Sequence, residues 1–192
     1  TDEKQRQVAA ITISDDLNHD AWQTHAHELR RARFYFDGDG VKKFKCPPLG
    51  TADGLDTLIY DSDGGPAHFK NRNNMQFLCQ LAVGKDVRGK QVIPGFKLKK
   101  LVRRFSAPGH GKGTWDGMGA VFKGFVGKAE MWMKFYSLSE YDVYSYAMAH
   151  FHSSQVRRKL GDAMDFYIDF LPAKDVYRPQ VADYISPFPG IR

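Results

Sequence analysis

Apolar and polar positions alternate along the chain in two different periods. Short apolar, β-branched or alternating runs predict strands, whereas longer stretches with helical spacing predict helices. The predicted strands are residues 8–13, 55–60 and 97–106, the last with a basic face at a sheet edge. The predicted helices are residues 21–36, 66–83, 114–136 and 140–160. Residues 166–171 fit either a strand or a helix. Strands alternating with helices are typical of an α/β fold.

Composition narrows the class of protein. The 192 residues are 42% hydrophobic, which is enough for a sizeable core, and no apolar run approaches the length of a membrane span. Only Cys46 and Cys79 are present, which suggests a reducing, intracellular compartment. The net charge of +6 favours an acidic partner, with nucleic acid first among the options, but many proteins of this charge bind no nucleic acid.

The carboxylate of Asp63 is the first candidate for chemistry. It follows the predicted strand at 55–60, and the carboxyl ends of strands are where open α/β sheets hold their ligands. A carboxylate placed there suits Mg²⁺ or Mn²⁺, which prefer oxygen ligands. The alternative is an ordinary turn, because Asp and Gly both favour turns and Gly64 follows directly. The neighbouring Asp61 should project from the opposite face to Ser62.

Asp116 is the second candidate, in the first turn of the helix predicted from Thr114. Gly119, Ala120 and Lys123 share its face, and two small residues there would let the helix approach a sheet closely. The competing interpretation is a first-turn Asp that is favoured only by the helix dipole.

A loop with the sequence His110-Gly111-Lys112-Gly113 precedes that helix. Its backbone and the Lys112 amine could reach a phosphate, although the spacing is not that of a Walker motif. The other histidines are expected on helix surfaces; among them are His25, His27, His150 and His152. His150 and His152 are two residues apart, so they point to different sides of a helix and make a poor metal pair.

Three blocks of sequence resemble transposase-like proteins of eukaryotic mobile elements. They are Ile13-Ser14-Asp15-Asp16 with His19-Asp20, then Ser62-Asp63-Gly64 with Phe69-Lys70-Asn71-Arg72, then His110 to Ala120 with Lys123. The blocks follow the order of that family over residues 8–125, and the third is the most specific. The family is similar to DDE transposases with an RNase H-like fold.

The resemblance implies an RNase H-like mixed β-sheet flanked by helices. It makes Asp63 the second and Asp116 the third metal-binding carboxylate. The first carboxylate of the family lies upstream of the first block, so the first two strands and that residue are expected to be missing here. Residues 1–136 would then form a partial catalytic-type domain and residues 137–192 a helical C-terminal extension.

The function implied by the resemblance is metal-dependent cleavage and strand transfer of DNA, with two Mg²⁺ or Mn²⁺ ions held by Asp63 and Asp116. With only two carboxylates, little activity is expected from this chain alone. The expected partners are DNA and a homo-oligomer or larger complex, in the nucleus and without a membrane. The expected DNA-backbone contacts come from Lys70, Arg72, Lys99, Lys100, Arg103, Arg104, His110, Lys112 and Lys123.

The sequence leaves two alternative functions open. The chain could be a domesticated, inactive transposase remnant that serves as a nucleic-acid-binding or structural subunit. It could also be a small-molecule α/β enzyme that binds a phosphate ligand at residues 109–113, although no recognisable fingerprint supports that option.

Overall fold

Five helices and four strands make up the described part of the chain, which confirms a mixed α/β architecture. The computed structural model describes residues 7–44, 47–52, 54–62, 69–106, 114–132, 134, 136, 138–152 and 164–178. The strands are β1 (Gln7–Ser14), β2 (Thr57–Ser62), β3 (Lys100–Phe105) and β4 (Met164–Leu171). The helices are α1 (Ala21–Phe36), α2 (Asp39–Phe44), α3 (Arg72–Leu81), α4 (Thr114–Met131) and α5 (Glu140–Phe151). None of these helices is long and apolar enough to cross a membrane.

Capping residues explain where the helices begin. The side chain of Asp20 accepts a hydrogen bond from the Gln23 amide at 3.0 Å, so α1 starts at the residue predicted from the sequence. Asn71 caps α3 in the same way, with its oxygen 2.9 Å from the Asn74 amide. The helix predicted from residue 66 is therefore helical from Arg72, and the region at 166–171 is a strand, β4.

One compact unit comprises residues 1–17 and 112–173. Its strands β1 and β4 pair in parallel, with Ile11 opposite Ile168. Helices α4 and α5 bury apolar side chains against this pair, and the buried core consists of Phe122, Ala147, Phe151 and Ile168. Such burial stabilises the unit because each large side chain removed from water contributes on the order of 2 kcal/mol.

The face that α4 turns to the core differs from the predicted one. Met118, Phe122 and Phe125 pack inward, whereas Ala120 is exposed and a Cβ added to Gly119 would meet no atom within 4 Å. The expectation that small residues bring this helix close to a sheet is wrong. Large apolar side chains gain more free energy from burial than glycine or alanine, and they decide the orientation of the helix.

The second compact unit comprises residues 18–111 and 174–192. In it β2 and β3 pair in parallel with α3 between them in the sequence, which is a β–α–β arrangement, and Tyr60 lies opposite Arg103. The buried core of this unit consists of Ala32, Leu49, Phe77, Leu81, Ile93, Phe96 and Leu98.

These units divide the chain differently from the linear division expected at residue 136. Strand β4, from the segment expected to be helical, pairs with β1 from the start of the described chain. The described strands form two parallel pairs, β1–β4 and β2–β3, and no hydrogen-bonded ladder joins the two pairs into one sheet.

Candidate functional site

The carboxyl ends of β2 and β3 lie side by side, with Ser62 opposite Phe105. This edge is where the sequence predicts a metal site at Asp63, but Asp63 lies outside the described residues, as do His110 and Lys112. Asp116 is in the first turn of α4, as predicted, and is exposed. The predicted pairing of the two carboxylates therefore stays a prediction.

Two cations flank the carboxyl ends of these strands. The Lys70 amine lies 5.1 Å from the centre of the Phe105 ring, which is within the range of a cation–π contact. Arg72 is the first residue of α3, and both side chains are exposed. The first turn of α3 carries no acidic residue that would offset the partial positive charge of the helix N-terminus.

The basic residues near the start and end of β3 pair with acidic residues next to or within β2. Lys99 contacts Asp56 at 2.7 Å, and Arg104 makes two hydrogen bonds of 2.7 Å to Asp61. The hydrogen bond from Arg104 holds the pKa of Asp61 below its usual value. Asp61 is exposed and Ser62 is half-buried, which fits the prediction that their side chains project from opposite faces of the strand. Because these cations are already paired, they contribute less attraction to a phosphate than their number suggests; Lys100 remains exposed at the start of β3.

Arg103 points into the unit instead of toward solvent. Its Nη1 atom donates to Glu28 Oε1 at 2.6 Å, and both side chains are only 6% exposed. The guanidinium carbon lies 4.7 Å from the Phe69 ring centre and 5.2 Å from that of Tyr60. Arg103 is therefore not part of an exposed basic face. Instead it links β3 to α1 through a buried ion pair.

A histidine lies beside this ion pair. His25 is 2% exposed and stacks on Phe77 with ring centres 3.9 Å apart, so the expectation that it lies on a helix surface is wrong. Burial lowers the pKa of His25 to about 3; the Asn74 side chain opposes this shift and the Arg103 charge adds to it. His25 is consequently neutral at physiological pH. Its one-turn spacing from Glu28 is the signal in the sequence that could have placed both on one buried face.

Burial also shifts the pKa values of Glu28 and Tyr60, which lie next to Arg103. It raises the pKa of Glu28, an effect that Arg103 opposes by its charge and hydrogen bond. It raises the pKa of Tyr60 as well, and the nearby Glu28 charge adds to this shift. Residues with such shifts often cluster at functional sites, although structural ion pairs show them too.

Hydrogen bonding around the Glu28–Arg103 ion pair is incomplete among the described residues. Among the described residues around this ion pair, the buried polar atoms that have no hydrogen-bond partner are Glu28 Oε2, Ser62 Oγ, and Arg103 Nε and Nη2. The His25 imidazole and the Asn74 side chain lie close enough to interact but do not meet at hydrogen-bonding geometry. An unsatisfied buried polar group costs about 1–3 kcal/mol, so an additional polar partner at this place would lower the free energy of the folded chain.

Metal ligands are not grouped in the same way. Among the described residues, no set of three or more His, Cys, Asp or Glu side chains could hold a metal ion. Cys79 is a free, exposed thiol, and Cys46 lies outside the described residues.

Comparison with known proteins gives a family but no function. A family model described as a domain of unknown function (DUF8701) matches residues 1–157. No curated protein and no solved structure matches the chain.

Proposed function

The chain belongs to the DUF8701 family, and we propose that it is a DNA-binding protein derived from a DDE transposase with an RNase H-like fold. The observation that carries the proposal is the pair of exposed cations, Lys70 and Arg72, at the carboxyl ends of β2 and β3 beside the N-terminus of α3. That edge of a parallel strand pair is a common place for ligands.

The chemistry of this edge suits a phosphate backbone. A helix N-terminus presents unpaired backbone amides and a partial positive charge, and lysine and arginine add full charges. Contacts of this kind attract DNA without reading its sequence, because phosphates are the same at every base pair. Binding is therefore expected to be salt-dependent and to show little sequence preference.

Position and burial define which residues act. Arg103 is buried and Lys99 and Arg104 contact acidic neighbours, so the exposed cations that we assign to this edge are Lys70 and Arg72. Lys100 is exposed at the opposite, amino end of β3. Lys123 is an exposed cation on α4 in the other unit and forms a separate candidate contact.

Fluorescence anisotropy with a labelled duplex at several salt concentrations tests the proposal. The double variant Lys70→Gln/Arg72→Gln should bind more weakly than the wild type at low salt. It should also lower the slope of log affinity against log salt by about 2, because each lost phosphate contact removes about 0.9. The matched control, Lys85→Gln/Lys90→Gln, makes the same change in charge at exposed residues beyond the other end of α3, which is about 15 Å long.

Three results would count against DNA binding at this edge. They are an absence of duplex binding at low salt, an affinity that does not change with salt, and equal losses in the two double variants. A loss confined to Lys70→Gln/Arg72→Gln would support it.

Metal-dependent cleavage is the second candidate function. It is favoured by the exposed Asp116 carboxylate in the first turn of α4 and by the position of Asp63 directly after β2 in the sequence. Mg²⁺ or Mn²⁺ bound by these carboxylates would stabilise charge on a phosphodiester undergoing attack. We expect little cleavage of a labelled duplex by this chain alone. Strong cleavage that is lost in Asp63→Asn and Asp116→Asn would establish the enzymatic function instead.

A further inference from the structure

The arginines of the second unit differ in how they use one edge of the guanidinium group. The Nε–Nη2 edge presents two parallel N–H donors that match a carboxylate or a phosphate. This edge faces a carboxylate in three arginines: Arg88 with Asp86, Arg104 with Asp61, and Arg178 with Asp20. These three arginines thus fill that edge with a carboxylate.

Arg103 departs from this arrangement. Its contact with Glu28 uses Nη1, and neither Nε nor Nη2 has a hydrogen-bond partner within the described residues. Yet its side chain is only 6% exposed, against 30% to 61% for the other three arginines. Buried ion pairs are stable only when their remaining donors are satisfied, so the arginine that most needs a partner on this edge is the one without it.

We propose that the Nε–Nη2 edge of Arg103 binds a phosphate-type oxyanion. The rings of Phe69 and Tyr60 lie near the guanidinium carbon, at 4.7 and 5.2 Å, and Glu28 occupies Nη1. These contacts leave the two N–H donors of the Nε–Nη2 edge without a partner among the described residues. A phosphate presents two oxygens at the spacing that such an edge recognises.

Neighbouring groups are consistent with an anion there. Ser62 Oγ, on the strand beside Arg103, is a buried hydroxyl without a hydrogen-bond partner among the described residues and can donate to a second oxygen. Phe69, beside the Arg103 guanidinium, is followed in the sequence by Lys70 and by Asn71, the cap of α3, so the positive end of that helix adds to the local field. Glu28 is the opposing negative charge, and Arg31 also acts on it electrostatically.

Access to the edge requires a local rearrangement, because both nitrogen atoms are sealed from solvent. Association should therefore be slower than at an exposed lysine. If the phosphate belongs to DNA, this inference rests on the proposed DNA-binding function and gives one backbone phosphate a bidentate contact. If it is a free phosphate, the site stands apart from that function.

NMR of the arginine side chains tests the site directly. The Nε–H resonance of Arg103 in the full chain is followed during titration with inorganic phosphate, with a short 5′-phosphorylated DNA strand, and with chloride as a control for ionic strength. We expect the Arg103 signal to shift and saturate with phosphate or with the DNA, while the Arg104 signal, whose edge is filled by Asp61, changes little.

Calorimetry of two matched variants adds a second measurement. Arg103→Lys keeps the charge opposite Glu28 but removes the two-donor edge, so phosphate affinity should fall about ten-fold or more. Arg104→Lys makes the same chemical change at the neighbouring residue and should keep wild-type affinity. If Arg103→Lys does not fold, the wild-type NMR titration decides the question alone.

The outcomes separate this inference from the proposed function. Duplex binding without any response of the Arg103 Nε–H to either ligand overturns the inference and leaves DNA binding intact. A saturable response to inorganic phosphate in a chain that binds no DNA supports the inference and counts against the proposed function. No response to any ligand, or an equal response to chloride, overturns the phosphate site.

Discussion

Breaking the buried Glu28–Arg103 pair should destabilise the second unit more than any exposed charge change. Arg103→Met removes the cation and leaves the Glu28 carboxylate buried without its partner, since the Glu28 side chain is only 6% exposed. Removing one member of a buried pair typically costs about 3–5 kcal/mol. Because small domains are stable by about 5–15 kcal/mol, this is a large fraction of the total.

The double variant Glu28→Leu/Arg103→Met tests whether the loss of stability comes from leaving one buried charge unpaired. It removes both charges together, so neither is left unpaired, and well-packed apolar replacements of buried pairs are often neutral or stabilising. Its free energy of unfolding should therefore lie close to the wild-type value, although simple addition of the single losses would predict a loss of about 6–10 kcal/mol. The difference measures the coupling between the two side chains.

Urea unfolding followed by circular dichroism, together with hydrogen exchange of the α1 amides, provides the assay. Arg104→Gln serves as the control, because its partner Asp61 is exposed and the loss should be much smaller. If Arg103→Met unfolds at the wild-type urea concentration, or if the double variant shows the sum of the single losses, the pair does not hold α1 to β3 as described.

Two further predictions concern the buried histidine His25 and two glycines, Gly124 and Gly84, that differ in backbone conformation and surroundings. Burial holds the pKa of His25 near 3 while the unfolded value is near 6.5, so the unfolded chain binds an extra proton between these values. Acidification from pH 7 to 5 should therefore cost about 2 kcal/mol of stability through His25, while the raised pKa of Glu28 acts in the opposite direction. Urea unfolding at the two pH values should show a smaller loss in His25→Phe. Gly124→Ala should stabilise α4 by about 0.5–1 kcal/mol, because an added Cβ meets no atom within 4 Å. Gly84→Ala should destabilise the folded chain, because Gly84 has a φ of 70°. A lower melting temperature for Gly124→Ala would contradict this.

Local patterns predicted most of the elements correctly. The helix at 21–36 has both its bounds as expected, and the strands near residues 8–13 and 97–106 are present with shifted ends. These elements have strong periodicity and, for α1, a capping Asp, which are properties of adjacent residues. The ambiguity at residues 166–171 is resolved by pairing with β1, a contact across more than 150 positions that no local pattern encodes.

The direction of individual side chains could not be predicted in the same way. The basic alternation in β3 indicates a charged face, but Arg103 lies on the inner side because α1 supplies Glu28 as its partner. His25 is likewise buried because Phe77 of α3 covers it. In each case the deciding partner comes from another element, so a cationic or titratable residue in the sequence does not show whether it faces solvent or an ion pair.

The two candidate functions make opposite demands on the edge of β2 and β3. A divalent ion needs carboxylates to outweigh the nearby positive charge, because like charges raise the free energy of holding the metal. DNA phosphates need the reverse, an excess of exposed cations over acids. In the described residues at this edge, Lys70 and Arg72 are exposed, the first turn of α3 has no acid, and the Asp61 carboxylate is already paired with Arg104. Among the described residues, the charge at this edge therefore suits a phosphate better than a metal ion, which is why we propose DNA binding ahead of cleavage.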